Sequence, residues 1–168
     1  MSDFSRSRGF TLIELLIVIA VIAILAALAF VALNPLARFQ DSRNAQRWAD
    51  VNALISAVKL HQVDNGGAYL SEINSLTADL YFQIGTGDQC ASTCSNPTVI
   101  LQEECLDLEE LTDNSYLASI PVDPNDTGAS DDATRYYLMK VSNGLITVGS
   151  CSEEKGSAQA APAISITR

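Results

Sequence analysis

The sequence has a single histidine, His61, among 168 residues, and no cysteine before Cys90. One imidazole on an amphipathic stretch gives no nucleophile–base arrangement to build a hydrolytic site on, and an enzyme is not expected. Basic residues are also scarce, 10 Lys and Arg against 20 Asp and Glu. They are unevenly spread: residues 61–168 hold sixteen acidic and four basic side chains, a balance of −12. Such a region offers no basic groove to a phosphate backbone, so direct nucleic-acid binding is not expected. The fragment GTGD at 85–88 lacks both the spacing and the lysine of a phosphate-cradling loop. Glycine and proline are missing from Leu15 to Leu33, and so is every polar residue.

That run is nineteen apolar residues. At about 1.5 Å per residue it reaches about 28 Å, near the hydrocarbon thickness of a bilayer. It reads as one continuous helix in lipid, ending at Asn34-Pro35. A secretory signal has a shorter apolar core followed by small residues at the cleavage site, and no Ala-x-Ala triplet follows Pro35. Glu14 stands at the start of the run, and an ionisable residue at that place marks a function by default, with a membrane anchor whose carboxylate snorkels as the alternative.

The polar leader MSDFSRSRG followed by Phe10-Thr11-Leu12-Ile13-Glu14 resembles the leader junction of type IV pilins and of the pseudopilins of type II secretion. The resemblance covers residues 6–35 firmly and 36–151 loosely. It implies cleavage between Gly9 and Phe10 by a prepilin peptidase, N-methylation of Phe10, and an assembly role for Glu14, whose carboxylate would meet the new Phe10 ammonium of a neighbouring copy. It also implies a homo-oligomeric helical filament and an inner-membrane assembly platform. The chain would be a single-pass protein of the cytoplasmic membrane, in contact with its lipid, before joining a surface filament. Positive-inside counting disagrees, with Arg6 and Arg8 before the helix against Arg38, Arg43 and Arg47 after it. Long domains translocate largely regardless of charge, and cysteine usage points to the outer side.

The expected fold is α+β: a long amino-terminal helix, its first half membrane-spanning, packed on a small antiparallel β-sheet headgroup of pilin type. The expected divisions are a leader at 1–9, a transmembrane and filament-core helix at 10–35, its amphipathic second half at 36–66, a headgroup at 67–154 and a flexible tail at 155–168. In the second half, Phe39, Trp48, Val51, Leu54, Ile55 and Val58 recur at largely three- and four-residue spacing and form the expected apolar face. Arg43, Arg47, Asp50 and Lys59 are left to face water or another subunit, and His61 to lie on the helix surface. Asn65-Gly66 is the stop signal. The stretch 67–98 reads as loop, Leu106, Leu108 and Leu111 as a segment covering the core, and RYYLMKVSNGLITVGSC as two strands around Asn143-Gly144. The segment ISIT near the end is a candidate edge strand.

Cys90, Cys94, Cys105 and Cys151 suggest two disulfides, with three possible pairings. Zinc is the alternative, but no histidine accompanies the Cys90/Cys94 pair. Chain order favours Cys105–Cys151 with Cys90–Cys94 closing a local loop. Asp123, Asp126, Asp131 and Asp132 are hard oxygen ligands in one loop, and major pseudopilins bind calcium in this region. The segment DPNDTGASDDATR does not follow the twelve-residue ligand pattern, and no other cofactor is expected. The favoured function is a prepilin that polymerises through its amino-terminal helix. The alternatives are a major pseudopilin and, from another class, a membrane-anchored extracytoplasmic binding or sensor module.

Overall fold

The first helix begins at Thr11, which leaves the helical region (φ −83°, ψ 150°) and accepts the Glu14 amide on its hydroxyl. Glu14 returns a bond to the Thr11 amide, so this capping box satisfies two of the donors that a helix start leaves open. The computed structural model describes residues 9–88, 90, 94, 97, 99 and 105–168. Helix α1 runs Leu12–Leu33, and none of its residues is buried. It ends at Asn34, which takes a left-handed backbone (φ 40°, ψ 71°). The reason is Pro35: it donates no N–H and crowds the residue before it out of the helical region. Pro35 then opens helix α2, Pro35–Asp64, where a missing donor costs nothing and the fixed φ suits a first turn. The long helix expected over 10–66 is thus interrupted at Asn34.

Two compact units result, Met1–Leu36 and Ala37–Arg168. In the second, α2 buries Val51, Leu54, Ile55, Ala57 and Val58 on one stripe. They meet Ile73 of α3 (Ser71–Ser75), Leu111 of α4 (Glu110–Asp113), Ile84, Leu106 and Leu108. The other side of this core is an antiparallel sheet in the order β1-β2-β3-β4: Tyr81–Gln83, Tyr136–Lys140, Ile146–Ser150 and Ser165–Thr167. Phe82, Leu138, Val148 and Ile166 lie opposite one another across all four strands and form an apolar row against the helix. The layout is α+β, as expected. The hairpin around Asn143-Gly144 is also present, with Gly144 at φ 88° and β3 over Ile146–Ser150 as its return strand.

Several expectations are corrected. Phe39 and Trp48 are 64% and 38% exposed, because the buried stripe runs through Asn44, Arg47, Val51, Leu54, Val58 and His61 and leaves them on its flanks. Arg47, Asp50 and His61 are buried rather than facing water. The stretch 67–98, expected as loop, contains α3 and β1. The tail is anchored: Ile164 is fully buried and β4 extends the sheet at the expected ISIT segment. Apart from Gly9, the expected leader lies outside the described residues, as does most of 89–104.

Candidate processing and assembly site

Gly9 and Phe10 precede the helix in irregular backbone, and both are exposed, Phe10 at 88%. A side chain built on Gly9 would meet nothing within 4 Å. At the third residue of α1, Glu14 receives the Thr11 amide at 2.9 Å and the Thr11 hydroxyl at 2.8 Å. Both donors fall on Oε2, which leaves Oε1 to other partners. The first turn is where a carboxylate is also favoured by the helix dipole. Thr11 was missed in the sequence reading although T-x-x-E, the capping-box signature, is written there.

The second unit holds a polar network on the amino-terminal part of the same α2 stripe. The Arg47 guanidinium grips Asp123 with two bonds, Nε to Oδ2 at 2.7 Å and Nη2 to Oδ1 at 3.0 Å. Its Nη1 donates to Glu154 at 3.0 Å and to Asn44 at 2.9 Å. Arg43 holds Glu154 from the other side through Nε at 2.6 Å and Nη2 at 2.5 Å. Burial alone would lower the Arg47 pKa, and its bonds to Asp123 and Glu154 outweigh that and raise it. The bonds from Arg43 and then Arg47 hold the Glu154 carboxyl below the usual range. The Asn44 side chain donates to the Glu154 carbonyl at 2.6 Å and accepts its amide at 3.0 Å. Further on, Gln40 and Asp41 accept the amides of Gly156 and Ser157. The network therefore fastens residues 154–157 along α2. One turn on, Tyr136 donates to Asp50 at 2.6 Å, and burial foremost pushes its hydroxyl far up.

The disulfides are Cys90–Cys105 and Cys94–Cys151, not the pairs expected from chain order. The reason is register: Cys105 donates its amide to Gly87, which brings it beside Cys90. Cys94 packs instead on the rear face of the sheet with Tyr137 and Cys151. The four candidate calcium ligands are not gathered. Asp123 is committed to Arg47, Asp126 to Arg135, Ser152 and the Gly128 amide, and Asp131 and Asp132 are exposed. Among the described residues, no group of three or more His, Cys, Asp or Glu side chains could hold a metal ion.

Residues 4–30 match the family model described as the prokaryotic N-terminal methylation motif. No curated protein and no solved structure matches the chain. The motif is the class III leader of type IV pilins and pseudopilins, and it supports a pilin-like or pseudopilin precursor. The helix that follows is long and apolar enough to cross a membrane, which fits a membrane-anchored precursor.

Proposed function

We propose that the chain is a structural subunit, cut between Gly9 and Phe10 by a prepilin peptidase, N-methylated on Phe10, and polymerised through α1 into a surface filament of type IV pilus kind. The observation that carries this reading is a helix with every residue exposed, Leu12–Leu33, most of it inside the matched methylation motif. Each buried Leu, Ile, Val or Phe side chain is worth about 1.5–3 kcal/mol, so α1 requires lipid or other helices around it. Lipid tails satisfy that need as well as helices do, and apolar burial alone gives α1 no reason to leave the membrane.

Glu14 supplies the reason. A charged side chain deep in a bilayer costs about 2.5–3.5 kcal/mol on insertion scales, less toward a helix end. Cleavage after Gly9 converts the Phe10 amide into an ammonium, and a neighbouring copy can bring that cation to the open Oε1 of Glu14 in a water-poor filament core. Repeating this heterologous contact without closure gives a helical fibre.

Mass spectrometry of the mature amino terminus tests the first step: N-methylated Phe10 is expected, and an intact leader would instead indicate a membrane-anchored sensor. Electron microscopy tests the second. Wild-type cells should carry surface filaments and Glu14→Ala cells none, with the membrane-held precursor still made. Absence of surface filaments from wild-type cells that secrete through a type II system would make the chain a pseudopilin.

A further inference from the structure

The rear face of the sheet, away from α2, carries a cleft of about 230 Å³. Tyr81 and Tyr137 form its floor, with rings edge to face, centroids 5.3 Å apart and planes at 86°. Tyr137 lies flat over Gly149 of β3, where any added Cβ would meet its ring, so a glycine is required there. Pro97 and Pro162 are apolar walls, and Glu153 is the one charged group in the lining among the described residues.

Glu153 is half-buried, and its carboxylate is met by backbone amides, its own and that of Ile164, the latter at a long 3.4 Å to Oε1. It forms no ion pair among the described residues. The Arg47 charge reaches it, but that guanidinium is committed to Asp123 and Glu154. Burial, the largest influence, accordingly raises the Glu153 carboxyl above its ordinary range. A desolvated carboxylate without a counter-ion is costly, and aromatic faces beside it attract cations in the same way that it does. A planar guanidinium suits the two together, since it stacks on rings while its edge donates to a carboxylate.

We propose that this cleft binds a guanidinium cation, the side chain of an arginine, between the Tyr81 and Tyr137 rings and the Glu153 carboxylate. Its described lining residues all belong to the second unit. It gives an acidic subunit a selective place for a basic side chain.

Calorimetric titration of the full chain in detergent micelles tests it, with N-acetyl-arginine N-methylamide as ligand. Saturable binding is expected, weakened about tenfold or more when the citrulline counterpart, neutral and of the same shape, replaces it; a tenfold loss is about 1.4 kcal/mol. Glu153→Gln and Tyr81→Leu should each bring a similar loss, in proteins whose thermal midpoint and Cys94–Cys151 bond are unchanged. Butylguanidine, which lacks the peptide groups and carries the same single charge, reports the source: equal affinity means that the cleft reads the guanidinium alone, and weaker affinity means an arginine within a chain. No saturable heat with the wild type, or equal binding of the arginine and citrulline ligands, overturns the proposal, and the second result needs no variant at all.

Discussion

Replacing Arg47 with methionine would leave the Asp123 carboxylate, with 0% of its side chain exposed, without a cation. Two backbone amides, of Asn125 and Asp126, would still donate to its Oδ1 at 3.0 Å, too little to compensate a buried charge. Removing one partner of a buried pair costs about 3–5 kcal/mol, a large part of the roughly 5–15 kcal/mol that holds a domain together. Arg43→Met is the control, because Arg43 is 26% exposed and a solvated pair contributes about 1 kcal/mol or less. Trp48 provides the signal: it is the single tryptophan, adjacent to Arg47 and partly exposed. With a urea slope of about 2 kcal/mol per molar, the Arg47→Met midpoint should fall by about 2 M. Arg47→Met with Asp123→Asn should recover much of the loss, since asparagine keeps the Oδ1 acceptor for the turn without the charge. The reasoning fails if Arg47→Met costs no more than Arg43→Met, or if the double variant is no more stable than the single one.

Peptide mapping without reduction should find Cys90 joined to Cys105 and Cys94 to Cys151. Because these bonds span 15 and 57 residues, loop-closure entropy predicts that losing the first costs about 3 kcal/mol and losing the second about 4. Thr11→Val removes the hydroxyl from the Glu14 carboxylate while sparing the Thr11 amide, and should reduce filament yield several-fold, with Thr11→Ser restoring it. The lowered Glu154 pKa implies stability that is fully present above the unfolded value of about 4.3 and lost as pH falls through the lower folded value. Acid unfolding of Glu154→Gln should therefore depend less steeply on pH than that of the wild type. Glu153 has the opposite sign, its contribution being present at low pH and lost as pH rises through its raised folded value.

The elements governed by local rules were legible in the sequence. The apolar run, the break at Asn34-Pro35, the stop at Asn65-Gly66 and the Asn143-Gly144 hairpin each depend on neighbours within a few residues. The apolar stripe of α2 was legible only in its second half. Toward the amino terminus the same stripe is Asn44, Arg47 and Asp50, and a polar residue on a helix reads as solvent-facing unless its distant partner is known. Asp123 lies 76 residues from Arg47, and Glu154 lies 107. Phe39 and Trp48 fell on the wrong side for the same reason, since hydrophobicity was allowed to decide a face that an ion-pair network controls. Strand β1, three residues long, is too short to show alternation. The disulfide pairing depended on which sheet face each loop crosses, which spacing does not encode.

The buried network also bears on the conflict in the charge count around the first helix. Arg38, Arg43 and Arg47 follow α1 closely and, counted as free charges, would hold the second unit on the cytoplasmic side. In the folded unit Arg47 is buried and Arg43 is paired with Glu154, so only Arg38 stands exposed among the three. Their counter-charges lie far downstream and are met only once the whole unit has folded. Arg43 and Arg47 are therefore explained by what they do in the fold, clamping residues 154–157 to α2, and need no topological role. Their presence after α1 is accounted for by the fold, and the two disulfides, not the charge count, are what fit an oxidising compartment for the second unit.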